Sequence, residues 1–305
     1  MNNGPGKHIE VKNLLSTELM LDDRRLESVL RSAFGASDIV APSAPLWNAS
    51  FFGLDRTRLF KFLKTEIQDK IVAACSRNLL TEAYAIEKIG MGFTAKMSLL
   101  SETLEERMLY SAFAYDEASH FHKISQFLEE PPTGLEKNPF LAMLAHLIEN
   151  EERPVLVLII QVMLEGWGLH HYRQMVEACA FEPFTRVMKD ILRDEARHHG
   201  SGLAITSRDR LTEAQKARAA DIMSVLFQMV QAGPQSVVQE VDKACGGLSR
   251  NLKTQLFEDL QAEAHARTRL DLLSNLIPPG SSYLHETLDQ RGVLRPLTPT
   301  ECATL

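Results

Sequence analysis

Asp116-Glu117-Ala118-Ser119-His120 and Asp194-Glu195-Ala196-Arg197-His198 are two copies of one short pattern, each preceded at thirty residues by another glutamate, Glu87 and Glu165. On an α-helix, residues three apart share a face with their Cβ atoms about 5 to 6 Å apart, so Glu and His at i and i+3 can grip one ion. One Glu-x-x-His pair is common on a solvated helix. Two pairs, each with a glutamate at the same upstream offset, offer four carboxylates and two imidazoles. Such a donor set suits iron or manganese rather than the thiolate chemistry of zinc. The pattern therefore predicts an all-α fold in which four helices bring a di-metal site together.

Laying residues 87–120 over 165–198 without a gap extends the match. Glu87 falls on Glu165, Gly90 on Gly168, Met97 on Met175, Asp116 on Asp194, Glu117 on Glu195, Ala118 on Ala196 and His120 on His198. Six of these seven identities lie at or within three residues of a candidate ligand, which reads as an internal repeat of a helix pair. The flanking residues set the pairs on buried faces. Phe184, Met188, Ile191, Leu192, Glu195 and His198 follow helical spacing, as do Tyr110, Phe113, Ala114, Glu117, His120 and Phe121. Glu165 ends the most apolar run in the chain, Pro154 to Leu164. An unpaired carboxylate buried there would cost several kcal/mol, a cost that a metal ion removes.

The 305 residues are 45% hydrophobic, enough for one helical domain, and no low-complexity linker divides them. The formal charge of −7 is intermixed, without the basic stripe of a nucleic-acid binder. Cys75, Cys179, Cys245 and Cys302 form no Cys-x-x-Cys pair. The N-terminus lacks signal-peptide character and the eleven-residue run Pro154 to Leu164 is short for a bilayer, so a cytoplasmic protein without membrane contact is expected.

Periodicity divides the domain into an arm (1–54), a bundle (55–202) and a helical extension (203–305). The arm carries a helical pattern from Leu21 to Ala33. The bundle helices are expected at 55–100, with a break near Gln68, from a turn and capped start within Ser101–Glu106 to about Leu128, from Pro154 to about Cys179, and from the turn Phe181–Pro183 to near Gly200 or Gly202. A long crossover with a short helix at Pro139–Ile148 joins the two pairs. Beyond it, helical patterns run over Thr212–Gln231, Gln235–Lys243 and Leu248–Leu276, the last expected to form a homodimer contact.

The doubled Asp-Glu-x-x-His pattern over about residues 80–200 resembles the ferritin-like superfamily of non-haem di-iron carboxylate proteins, which includes monooxygenase hydroxylases, desaturases, rubrerythrins and arylamine N-oxygenases. The resemblance implies a ferritin-like four-helix bundle with additional N- and C-terminal helices. It assigns Glu87, Glu117 and His120 to one metal and Glu165, Glu195 and His198 to the other, with Glu117 and Glu195 bridging. It gives Asp116 and Asp194 the task of accepting the far N–H of a histidine ligand. Glu82, five residues before Glu87 and about 140° around the helix, is the rival first ligand. Tyr172 is a possible hydrogen bonder or a core residue, and His122, His171 and His199 are rivals for a seventh ligand. Gly90 and Gly168, three residues after their glutamates, allow either close packing or a cavity for oxygen or substrate. Ile124 stands where a reductase small subunit has its radical tyrosine.

The resemblance implies two iron ions, or a manganese–iron pair, dioxygen as co-substrate, and an oxidoreductase that hydroxylates or N-oxygenates a small organic substrate. Electrons would come from a separate ferredoxin or reductase, since no flavin or nicotinamide motif is visible. The competing readings are an iron-handling protein of ferritin or rubrerythrin type, acting as ferroxidase or peroxidase, and a metal-free bundle that has kept the pattern.

Overall fold

Helices account for nearly all the regular structure in residues 13–16, 24–35 and 42–305, the part of the chain described by a computed structural model. No strand occurs among them. The first helices are Arg24–Phe34 (α1), Arg58–Phe62 (α2), Thr65–Leu100 (α3) and Leu104–Ser125 (α4). Pro139–Asn150 (α5), Arg153–Ala178 (α6) and Glu182–Arg208 (α7) follow. The C-terminal set is Glu213–Gln231 (α8), Gln235–Ala244 (α9), Arg250–Asp259 (α10), Ala262–Asn275 (α11), Ser282–Gln290 (α12) and Pro299–Cys302 (α13).

The site sits in two helical hairpins. Residues 101–103 turn α3 into α4, where the Thr103 side chain accepts from Glu106 N and so satisfies one of the free amides at the helix start. Residues 179–181 turn α6 into α7, which carries Pro183 in its first turn. The long connection between hairpins contains α5, begun by Asn138, whose side chain accepts from Phe140 N and Leu141 N. Lys96, on α3, is fully buried and closes the other end of α5. Its Nζ donates to Ile148 O (2.6 Å), Glu149 O (3.2 Å) and Glu151 O (3.0 Å). Trp47 anchors the segment before α2 by donating from Nε1 to Met175 O at 2.9 Å.

Within α6, Val157–Leu164 is a π-helix that ends against Glu165. Such i→i+5 segments are rare and concentrate at functional sites. The segment is held by Gln161, which has no solvent exposure. Its Oε1 accepts from Tyr110 OH on α4 (2.6 Å) and its Nε2 donates to His198 O and Ser201 Oγ on α7, both at 3.2 Å. Arg153–Ala178 is long and apolar enough to cross a membrane by composition, yet its most apolar window is 56% buried within the chain, as in a core helix.

Several expected boundaries shift. The break before the first bundle helix lies at Leu63 and Lys64 rather than near Gln68, with Thr57 capping the short helix before it. Helix α4 stops at Ser125, short of Leu128. Helix α7 runs through Gly200 and Gly202 to Arg208, because Gly202 is a contact point: a Cβ there would lie 2.6 Å from Gln161 Cβ. The pattern Leu248–Leu276 is two helices, broken where Gln261 takes a left-handed φ of 54°. Ala262, Ala266, Leu270 and Leu273 of α11 are buried within this chain, so that face is occupied without a second copy. Two further short helices, α12 and α13, follow α11. The pattern at Leu21–Ala33 is α1, and its start at Leu21 lies outside the described residues.

Candidate metal centre

All four helices of the two hairpins contribute a carboxylate to one buried cluster: Glu87 from α3, Glu117 from α4, Glu165 from α6 and Glu195 from α7. His120 and His198 join it from α4 and α7, one helical turn after their glutamates. Two groups of donors converge closely enough to hold a metal ion: Glu87, Glu117, His120 and Glu195, and Glu165, Glu195 and His198, each within 4.8 Å. Glu195 belongs to both. Glu117 also lies between them, with its Oε1 3.2 Å from His198 Nδ1.

Both imidazoles present Nδ1 to the cluster. His120 Nδ1 is 3.2 Å from Glu87 Oε2 and 3.3 Å from Glu195 Oε1, and His198 Nδ1 is 3.4 Å from Glu195 Oε2. Their outer nitrogens reach aspartates on the opposite hairpin. His120 Nε2 lies 3.3 Å from Asp194 Oδ2, and His198 Nε2 lies 3.3 Å from Asp116 Oδ2. A proton on Nε2, donated to the aspartate, leaves the Nδ1 lone pair for a metal. Each aspartate thus orients the histidine of the other repeat. Arg197 ties the two together, with NH2 at 3.0 Å from both Asp116 Oδ2 and Asp194 Oδ1.

The donor set fits divalent ions on three counts. Glu165 Oε2 and His198 Nδ1 are buried without a hydrogen-bond partner, although carboxylates stand close to the latter, so the cluster does not satisfy itself. Separations of 3.2 to 3.4 Å between donor atoms are near the edge of about 3 Å expected for an octahedral ion with bonds of about 2.1 Å. Four carboxylates carry −4, which two divalent ions cancel.

Without metal, protons do that work instead. Burial would lower the His120 pKa, but bonds to Glu195 and Glu87 outweigh it and lift it to about 11. His198 is raised too, since Asp116, Glu117 and Glu195 overcome its desolvation. Burial and the Glu195 charge push Glu117 up to about 8 and Glu165 well above the usual carboxylate range. Glu195 also suffers from burial, yet His120 and His198 hold it down at about 2.

Of the rival residues, Glu82 points away from the cluster into a separate cavity. His171 lines that cavity as well. His199 Nδ1 lies 3.0 Å from Gln161 O, a carbonyl that only accepts, so this nitrogen carries the proton. His122 packs at a tilt against Phe34, 5.7 Å between ring centres. None of the three histidines joins either donor group. Tyr172 is a buried core residue and also donates from its hydroxyl to Glu87 Oε1 at 2.8 Å.

The two matched glycines serve different ends. A Cβ on Gly90 would stand 2.1 Å from Glu117 Oε2, so the glycine forms the seat of that carboxylate. A Cβ on Gly168 would meet nothing within 4 Å. The π segment, Gln161 and the Arg197 bridge carry no pattern in the sequence that distinguishes them from ordinary helix residues. The chain matches no family model, no curated protein and no solved structure, so its buried Glu/His cluster stands on geometry alone as a group able to hold metal.

Proposed function

We propose that this chain is a ferritin-like di-iron oxygenase that uses dioxygen to hydroxylate or N-oxygenate a small organic molecule. The observation that carries the reading is the buried, doubled carboxylate–imidazole cluster with unpartnered donor atoms at Glu165 and His198. Glu87 and His120 would hold one ion and Glu165 and His198 the other, with Glu117 and Glu195 between them. Iron held in this way supplies the reduction of dioxygen. The protein fixes the donors through Asp116, Asp194 and Tyr172, and the apolar packing of Phe113 against His198, 3.9 Å between ring centres, keeps bulk water off one imidazole. The open space over Gly168, one turn from Glu165, is the side from which substrate would approach. Manganese in one position, an external ferredoxin or reductase as electron source, a cytoplasmic setting and a homodimer complete the proposal.

Metal per chain after anaerobic ferrous loading and desalting tests it, with Glu117→Ala beside the wild type and the optical spectrum followed as oxygen is admitted. Two irons in the wild type, fewer in the variant and a transient visible band support the oxygenase. Many irons per chain, oxidised without organic substrate, would point to iron handling instead. No retained metal in the wild type would sink the site.

A further inference from the structure

A cavity of about 1340 Å³ lies apart from the metal cluster and is bounded by α3, α6, α11 and neighbouring segments. None of the six candidate ligands lines it. Glu82, Trp167, His171, His265 and Arg269 all do. Glu82 and Arg269 feel each other's charge, yet no nitrogen of Arg269 comes within 4.0 Å of a Glu82 oxygen. Each is held by another neighbour. The Arg269 guanidinium lies over the Trp167 ring, 5.3 Å from its centre, and Glu82 faces the side chain of Asn138, the residue that caps α5.

A carboxylate and a guanidinium that line one cavity without touching leave a gap of defined polarity between them. Burial destabilises both charges, raising the Glu82 pKa and lowering that of Arg269. Burial and the Arg269 charge hold His171 down at about 3, so it is a neutral hydrogen-bonding wall near pH 7, while His265 stands at the exposed rim. A simple organic anion placed at Arg269 would be repelled by Glu82, and an amine at Glu82 would be repelled by Arg269. A molecule bearing both charges satisfies both groups.

We propose that this cavity is a binding site for a free α-amino acid, its carboxylate on Arg269 and its ammonium on Glu82. Phe51, Phe140 and Leu141 supply apolar wall for a side chain.

Thermal-shift and calorimetric titration of the full chain with each proteinogenic L-amino acid tests this without reference to metal, so failure leaves the metal-centre reading untouched. At least one amino acid should bind, and its carboxamide and its N-acetyl form should each bind at least tenfold more weakly, about 1.4 kcal/mol. Arg269→Gln should remove the discrimination against the carboxamide, and Glu82→Gln that against the N-acetyl form. The comparison of ligands on the wild type holds even where a variant folds poorly. No binding at millimolar concentrations overturns the proposal. So does a deaminated acid that binds as tightly as its amino acid, which would mark a plain anion site.

Discussion

Gly90→Ala should separate metal binding from folding. The new methyl carbon would stand 2.1 Å from Glu117 Oε2 and 2.8 Å from Glu117 Cδ, where ordinary contact begins at 3.4 Å. The carboxylate oxygen must therefore retreat by 3.4 − 2.1 = 1.3 Å. Metal–ligand bonds tolerate only about 0.2 Å, so Glu117 cannot keep its place in the donor set. In the metal-free chain the same carboxylate ends a flexible side chain and can move aside, at the cost of its contact with His198. Alanine also gains about 0.5 to 1 kcal/mol over glycine inside a helix. Metal-free stability should fall by less than about 3 kcal/mol, read by thermal melting, while affinity for Fe²⁺ in anaerobic titration falls by at least about 10- to 100-fold. Gly168→Ala is the control, since its methyl group meets nothing. It should leave metal binding intact and raise the melting temperature by roughly 2 °C. A Gly90→Ala chain that takes up two ions with wild-type affinity would refute the placement of Glu117.

Three further outcomes follow from the same geometry. Because the aspartates cross between hairpins, a double-mutant cycle on metal affinity should couple Asp116→Asn to His198→Ala, and Asp194→Asn to His120→Ala. No coupling is expected within either helix. His120 rises from an ordinary 6.5 to about 11, and Glu117 from 4.5 to about 8, so both hold more protons folded than unfolded. Metal-free stability should then fall as pH rises from 6.5 to 8, where both contributions have the same sign, and metal loading should release protons, seen as buffer-dependent heat in calorimetry. A flat or rising metal-free melting temperature over that interval would contradict the site electrostatics. Tyr172→Phe removes the 2.8 Å bond to Glu87 Oε1 and should cost the metal-free chain about 1.5 to 3 kcal/mol in denaturant unfolding, as expected for a buried bond to a charged group.

The all-helical architecture was legible because its signal is redundant. Apolar residues recur at helical spacing around Glu117 and Glu195, and the same short pattern appears twice. The six cluster residues were legible for the same reason, and the repeat also chose Glu87 over Glu82, which the structure turns towards another cavity. What escaped depends on contacts between elements. Gly200 and Gly202 read as a helix end, but Gly202 lets α7 cross Gln161 closely, and tertiary packing overrides local propensity there. The π segment is an apolar run interrupted only by Gln161, with no signature of its own, and Gln161 holds it by bonds to two other helices. The direction of the aspartates was open as well, since Asp116 and Asp194 each lie within reach of two histidines until the hairpins are docked.

That docking bears on how the repeat works. Each hairpin holds two glutamates, a histidine and an aspartate, but the aspartate orients the histidine of the other copy, and Glu195 serves both donor groups. Neither half can therefore assemble a complete ion site alone. The copies are also not equivalent. Arg197 occupies the position of Ser119 in the repeat and contacts both aspartates at 3.0 Å, so one arginine does for the pair what a symmetric arrangement would need two to do. A second arginine at Ser119 would place a buried cation beside His120, because Ser119 is 7% exposed whereas the Arg197 side chain is 57% exposed. Burial of the first copy and solvent access of the second explain why only one of the two positions carries the charge.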